Sequence, residues 1–385
     1  MNLLDTASLV VTPNGYKASK LYSIVPSDGS GDMTFARTGD TATRVNSSGL
    51  IETVLANKPR LDYFNSTCPK LLLEPQRTNL TVYSNNFTDA SWTNASTTIT
   101  ANYAASPDGT TNASRFQQAT VGALQKTISV TASTTYTVSF YCKRLGGTSA
   151  SLGVYNLSAG NFIFQDNLFS TLTLNTWVRV TRTFTTPVGC TSITNEFWRD
   201  SSIDCLIYGM QLEAGAYATS YIPTTTASVT RNADNCNKTS INSLIGGTSG
   251  TIFFNIKTNP TLTTATYKQF VYYLSATSQQ EYFYVNQNNR IVTSSNWGSL
   301  VSSNTLVADT TYKIALGFSP SSHVLYVNGV QVASSTTGTP YDADKIDSLF
   351  SFQGGSSEYG EFKLNSFAHW KTKLQNSELA TLTSL

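Results

Sequence analysis

Apolar and polar residues alternate in short runs along most of this 385-residue chain. Thr135–Lys143 (TYTVSFYCK) places Tyr136, Val138, Phe140 and Cys142 on one face, the period of two that marks a half-buried strand. Trp177–Phe184 (WVRVTRTF) alternates too, with Val178, Val180, Arg182 and Phe184 on one side. Arg182 interrupts that apolar side, so this strand is expected to reach a sheet edge. Thr251–Lys257 (TIFFNIK) and Lys268–Leu274 (KQFVYYL) are rich in the β-branched and aromatic residues of strands. In His323–Ala333 (HVLYVNGVQVA), two β runs flank Asn328-Gly329. That dipeptide favours a two-residue type I′ hairpin, because both turn positions need positive φ. One short helix is predicted, over Asn376–Leu382.

Leu71–Leu73 is an apolar run too short for a globular helix and is stopped by Glu74-Pro75, so it reads as a buried strand ending at an edge or bend. Leu206–Glu213 (LIYGMQLE) has the same character. The two stretches are expected to bracket one sandwich, with Arg77 paired to Glu74 or Glu213. Turn signals recur at Pro13-Asn14-Gly15, Pro26–Gly29, Ser106–Gly109, Leu145-Gly146-Gly147 and Thr186–Gly189. Short strands with turns this regular predict an all-β chain of two tandem antiparallel β-sandwiches, preceded by an irregular, partly extended N-terminal arm. The predicted boundaries are 1–70 for the arm, 71–234 for the first sandwich, 235–250 for a polar linker and 251–385 for the second sandwich. The arm is expected to pack on another chain or to extend the first sandwich.

Composition narrows the partners. Charged residues make up 12% of the chain, against about 25% in ordinary domains, and the net charge is +2. No nucleic acid is expected as a partner, since so small a charge does not steer polyanions. The N-terminus lacks the basic and apolar regions of a signal peptide. No run approaches the ~20 apolar residues of a membrane span, so no membrane insertion is expected.

The cysteines, Cys68, Cys142, Cys190, Cys205 and Cys236, show no C-x-x-C spacing, and the chain has only two histidines. No metal site or cofactor is predicted from them. They read as small buried hydrophobes, with Cys190–Cys205 the best-placed disulfide if one forms. Asp342–Asp347 (DADKID) lacks the glycine and closing glutamate of an EF-hand and reads as a solvated acidic turn. Gly246–Gly250 has no following Lys-Ser/Thr and reads as a flexible joint, not a phosphate loop.

Catalytic patterns fail in the same way. A glycosidase needs two carboxylates across a cleft. The nearest strings, Glu281-Tyr282-Phe283 and Glu358–Glu361, do not form the alternating acid pattern. His323 and His369 read as packing or surface residues, and no Gly-x-Ser-x-Gly elbow precedes a helix pattern. The chain is expected not to be an enzyme. Sugars present C–H faces that stack on aromatic rings. The candidate ligand-binding platforms are Trp92, Tyr155, Phe162 and Trp198, in or near predicted loops of the first sandwich, and Trp297 in the second. The alternative role for each is core packing.

A family resemblance rests on Thr43–Glu52 (TRVNSSGLIE), Pro59–Tyr63 (PRLDY), Leu71–Leu80 (LLLEPQRTNL), Ser106–Thr111 (SPDGTT) and Gln211–Asp234. Through these stretches the N-terminal half resembles virion structural proteins of tailed phages and prophages of Bacteroidetes-type hosts, including crAss-like phages. The region around 81–225 looks like their jelly-roll carbohydrate-binding modules. Residues 248–385, through LYVNGVQV and LQNSELATL, are similar to the laminin-G/concanavalin-A-like lectin superfamily. The resemblance implies a head or tail fibre or decoration protein on the virion surface, synthesised in the host cytoplasm. It also implies host-surface or mucosal glycans as ligands, other virion proteins as partners of the arm, and a homo-oligomer, with a trimer as the expectation. Jelly-roll modules often hold calcium through an aspartate pair late in the last strand, where this chain has Tyr208-Gly209. A ligand-free assembly protein and a glycan depolymerase remain the alternatives.

Overall fold

The computed structural model describes residues 3–118, 122–198, 202–245, 247–258, 268–275, 280–295, 298–337, 343–349 and 362–385. The fold is all-β, built from antiparallel sheets with one C-terminal helix, Asn376–Thr383. The chain divides into two units, each assembled from separated segments. The first comprises Met1–Asp40, Val54–Gln76 and Asn232–Leu385; the second comprises Thr41–Thr53 and Arg77–Arg231.

The first unit is a sandwich. Its larger sheet runs, neighbour to neighbour, through Asn235–Asn237, Met33–Ala36, Lys20–Val25, Leu9–Lys17, Phe362–Trp370, Gly250–Thr258, Thr311–Ser319, Ser322–Val327 and Val330–Ser335. Lys70–Leu72 also pairs with Phe362–Trp370, and Arg60–Asp62 pairs with Lys70–Leu72. The facing sheet contains Gly298–Val301, Ile291–Ser295, Gln280–Val285, Lys268–Ser275 and Ala343–Leu349. Alternation along these strands sends Leu9, Val11, Phe35, Leu71, Phe254 and Phe367 inward to meet Phe283, Val285, Ile291 and Ile346. The C-terminal helix covers part of the opposite face, where Leu379 packs with Ala315, Val324 and Trp370. The predicted hairpin is present, with Asn328 at φ 48° and Gly329 at φ 83°.

The second unit is also a sandwich. One sheet is ordered Thr98–Ala105, Thr111–Gln118, Ile203–Ala214, Thr135–Gly147, Trp177–Thr185. The other is ordered Asn161–Asn167, Ser151–Asn156, Ser192–Trp198, Ala123–Ser129, Thr93–Ala95. Tyr136, Val138, Phe140 and Cys142 enter its core together, as their spacing predicts. Trp177–Thr185 is an edge strand, and Arg182 pairs there with Asp166.

Several boundaries differ from the linear reading. Residues 1–70 do not form an arm. Leu9–Val11 pairs with Phe367–His369, and Leu21 and Phe35 lie in the first unit's core. The partner strand lies some 350 residues away in sequence, so no local pattern announces the pairing. Residues 235–250 are not a free linker either. Asn235–Asn237 joins the larger sheet, and Cys236, Ile241, Leu244 and Ile245 are core residues. Leu71–Leu73 belongs to the first unit, and the second resumes at Arg77. The expected nearness to 206–213 holds for the end of that stretch: Leu80 N–H donates to Leu212 O at 2.8 Å. Pro13-Asn14-Gly15 lies within Leu9–Lys17 as a register irregularity, and Gly146-Gly147 lies within Thr135–Gly147. All five cysteines are free; Cys205 has Cys142, not Cys190, as its thiol neighbour.

Four charged side chains are buried together in the first unit. Asp234 binds Arg37 Nη1 through Oδ1 at 3.1 Å and Arg60 Nη2 through Oδ2. Glu74 Oε2 receives Arg60 Nη1 at 2.7 Å. Asp234 Oδ2 also accepts the Glu74 backbone N–H at 2.9 Å. Arg37 Nη2 donates to the carbonyls of Val54 and Leu55 at 2.7 and 2.6 Å. Glu74 holds Arg60, and the Arg77 guanidinium lies 5.6 Å from the Tyr217 ring centroid. Burial alone works against the Arg60 charge, but attraction from Asp234 and Glu74 outweighs it and holds the guanidinium pKa above its ordinary value.

Asp234→Asn leaves two buried arginines without their shared carboxylate. It is expected to lower unfolding free energy by about 3–5 kcal/mol, read from the urea midpoint at constant m; a loss below about 1 kcal/mol contradicts the assignment. A second expectation concerns His369, 2% exposed with its ring 4.9 Å from that of Phe367. Burial pushes its pKa down to about 3, against about 6.5 in the unfolded chain. Between these values the unfolded chain binds a proton that the folded chain does not. Stability therefore falls as pH drops from about 6.5 to 3, by up to ~1.4 kcal/mol per pH unit from this group. His369→Gln should flatten the stability–pH curve over that window; an unchanged slope rules the effect out.

Candidate functional site

The two faces of the second unit differ. The outer face of the sheet containing Ile203–Ala214 is covered by the unit's own segments. Ile51 packs with Tyr208 and Tyr221, and Thr43 Oγ1 donates to Tyr221 O at 2.6 Å. Tyr208 donates to Asp108 Oδ2 at 3.0 Å, and its hydroxyl is held above the usual tyrosine range, first by burial and then by the Tyr221 and Asp108 charges. This is the Tyr208-Gly209 position, built here as a covered aromatic cluster.

The outer face of the opposite sheet carries a different set. In Ser151–Asn156, Leu152 and Val154 point into the core, so Tyr155, Gly153 and Ser151 point outward. The same alternation in Ser192–Trp198 sends Ile193 and Phe197 inward and Thr194 and Glu196 outward. In Ala123–Ser129, Leu124 and Ile128 go in while Gln125, Thr127 and Ser129 go out. Registered pairs align these side chains across the sheet: Gln125 with Glu196, Thr127 with Thr194, Gly153 with Glu196, and Tyr155 with both Thr194 and Phe162. Gln125 Nε2 donates to Glu196 Oε1 at 2.8 Å, and the Thr127 and Thr194 hydroxyls lie 3.3 Å apart. The Tyr155 and Phe162 rings meet edge to face at 5.1 Å. Thr93, Thr127, Ser129, Gln165 and Asn167 on this face are exposed.

Glu196 is the carboxylate of the face. Burial raises its pKa, partly opposed by the bond from Gln125. Glu196 and Thr194 are only 8% and 5% exposed, so the Gln125 amide and the Thr127 hydroxyl are the groups of this row open to a polyhydroxylated ligand, while the rings receive its C–H surface.

Tyr155 and Phe162 therefore sit side by side on this face, although both lie in strands and not in loops. Trp198 ends Ser192–Trp198, where its backbone pairs with Ala123 and Ser151; its side chain lies outside the described residues, as does Trp297. Trp92 is corrected to a core residue. It is 4% exposed, its ring is 5.1 Å from that of Phe87, and its Nε1–H points to Tyr83 O at 3.3 Å. A ring enclosed on both sides offers no surface to a sugar. Asp342 and Glu358–Glu361 also lie outside the described residues, while residues 343–347, read as part of an acidic turn, lie in the strand Ala343–Leu349, with Ile346 in the core. Gln125, Glu196, Thr127 and Thr194 were not among the residues expected from sequence. No group of three or more His, Cys, Asp or Glu side chains suited to a metal occurs among the described residues, and none of their helices is long and apolar enough to cross a membrane.

Residues 79–198 match the family Carbohydrate binding domain. The matched segment contains all five strands of the sheet whose outer face is described above. A comparison with curated proteins gives no match. Similar solved structures include the Ruminococcus gnavus IT-sialidase CBM40 bound to α2,3 sialyllactose, at 14% identity and TM-score 0.30, covering 36% of this chain and 84% of that one. Another is the enzymatically active domain of bacteriophage CBA120 tailspike protein 4, at 14% identity and TM-score 0.29, covering 35% of this chain and 21% of that one. Trypanosoma rangeli sialidase is similar at 11% identity and TM-score 0.30, covering 38% and 25%.

Trp92→Ala is expected to cost about 3–5 kcal/mol of stability, measured by chemical denaturation. A variant as stable as the parent would return Trp92 to the candidate platforms.

Proposed function

We propose that this protein binds glycans on the outer face of the sheet formed by Thr93–Ala95, Ala123–Ser129, Ser151–Asn156, Asn161–Asn167 and Ser192–Trp198. One observation carries the reading: the carbohydrate-binding family match encloses every strand of a sheet that presents Tyr155 and Phe162 on the same face as Gln125 and Thr127, with Glu196 beneath Gln125. The ring pair supplies stacking area, and the polar row fixes the orientation of the sugar hydroxyls.

The reading is of binding without cleavage. Glu196 is engaged by Gln125, whereas glycoside hydrolysis uses two carboxylates set about 5–9.5 Å apart across the bond. The proposed setting is the surface of a phage virion, as a head or tail fibre or decoration protein, supported by the sequence resemblance of the N-terminal half. A homo-oligomer suits that role, because individually weak glycan sites gain from multivalency.

A glycan array probed with the full-length protein tests the reading. Saturable binding to one glycan class is expected, with about tenfold weaker binding by a Tyr155→Ala/Phe162→Ala variant. Parent-like binding by that variant, or by Gln125→Ala, rejects this face. Absence of binding by the folded protein favours a ligand-free assembly role. New reducing ends in the bound glycan would instead identify a depolymerase.

A further inference from the structure

We infer that the first unit holds a separate site for an acidic saccharide, on the outer face of its larger sheet, with Lys70, Lys257 and Lys363 receiving the anionic group. The placement follows from strand register. Leu71 and Leu364 point into the core and are cross-strand partners, so Lys70, Leu72 and Lys363 point outward. Lys257 and Lys363 are themselves directly opposite across neighbouring strands. Like charges set directly opposite repel, and a sheet tolerates them when something answers the charge.

Two of the three ammonium groups are answered within the chain. Lys363 Nζ lies 2.6 Å from Asp62 Oδ2, and Lys257 Nζ lies 2.7 Å from Asp309 Oδ1. Lys70 is different. It is 7% exposed, yet among the described residues no carboxylate or other acceptor takes its ammonium. Burial lowers its pKa, and the Lys363 and Lys257 charges lower it further, partly opposed by the Asp62 carboxylate. The Lys70 stem is buried, but its Nζ is not sealed off. The ammonium opens to solvent beside two other lysines, where an anion from outside can reach it.

A buried, unpartnered hydroxyl borders the same face. Thr12 Oγ1 is buried without a partner. Val11 is a core residue paired with Phe367, so Thr12 points to the side that Lys70 occupies. Nearby, Asn365 Nδ2 donates to Asn255 Oδ1 at 2.9 Å, leaving amide groups suited to hydroxyls. Phe64 is 38% exposed, and Lys363 Nζ lies 4.9 Å from its ring centroid. An exposed ring beside the cations provides a stacking surface that a bare inorganic ion does not use, which favours a sugar carboxylate or sulfate ester.

The test is isothermal titration of the full-length protein with oligogalacturonate, its neutral counterpart oligogalactose, and sodium sulfate. Saturable binding of oligogalacturonate is expected, with oligogalactose at least about tenfold weaker. Lys70→Met should weaken oligogalacturonate binding about tenfold. Lys257→Gln, at a more exposed position, should weaken it by a smaller factor and guards against misfolding of the first variant. The Tyr155→Ala/Phe162→Ala variant should bind oligogalacturonate as the parent does; its loss of binding would place the acid on the second unit and overturn the inference. Equal binding of the acidic and neutral sugars overturns it, as does parent-like binding by both lysine variants. Binding of sulfate without oligogalacturonate overturns it in favour of an inorganic-anion pocket.

Discussion

The first unit depends on one buried charge cluster. Arg37, Arg60, Glu74 and Asp234 come from three separate segments of the first unit, with Arg60 and Glu74 sharing Val54–Gln76. Two positive and two negative groups neutralise one another, and the remaining donors reach backbone carbonyls such as those of Val54 and Leu55. Apolar packing would bury similar area without caring which segment lies where. A charge network does care, because misplacing one segment leaves another's charge buried and unpaired. The cluster thus fixes the meeting of three segments of chain that are far apart in sequence.

This explains which parts of the fold the sequence displayed. Alternation was clear wherever a strand has one wet and one dry face, as in Thr135–Gly147, and the Asn328-Gly329 turn was legible because its backbone conformation demands those residues. Arg182 marked an edge strand because a charged side chain on an apolar face needs a way out. What stayed hidden was long-range. Leu9–Lys17 reads as a lone strand followed by turns, and its partner lies at the far end of the chain. The buried positions of Cys236, Ile241 and Leu244 were masked by polar neighbours, which suggested a linker.

The candidate face was only half legible for a related reason. Tyr155 and Phe162 stood out as aromatics, but the polar row beside them did not. In Ala123–Ser129 and Ser192–Trp198, the central inward positions are Lys126 and Asn195, which are direct cross-strand partners. Their polarity breaks the alternation that would have revealed both strands. Lys126 tolerates the position by carrying its ammonium past the Trp92 ring, 5.2 Å from its centroid, to the Ser91 hydroxyl. Trp92, read as a ligand platform, is part of the wall along which that lysine escapes.

The segmented build of the two units has a consequence for how such a protein can be cut or inherited. A protease that severs one of the four crossings nicks the chain without freeing either part, since the other crossings still tie them. A fragment beginning near residue 248 would lack Leu9–Lys17, the neighbour of Phe362–Trp370 in the larger sheet, and would expose that strand's edge. In a gene, the second unit is written as two stretches, 41–53 and 77–231, with sequence of the first unit between them. A cassette cut as 77–231 would leave behind Thr43 and Ile51, which cover Tyr208 and Tyr221.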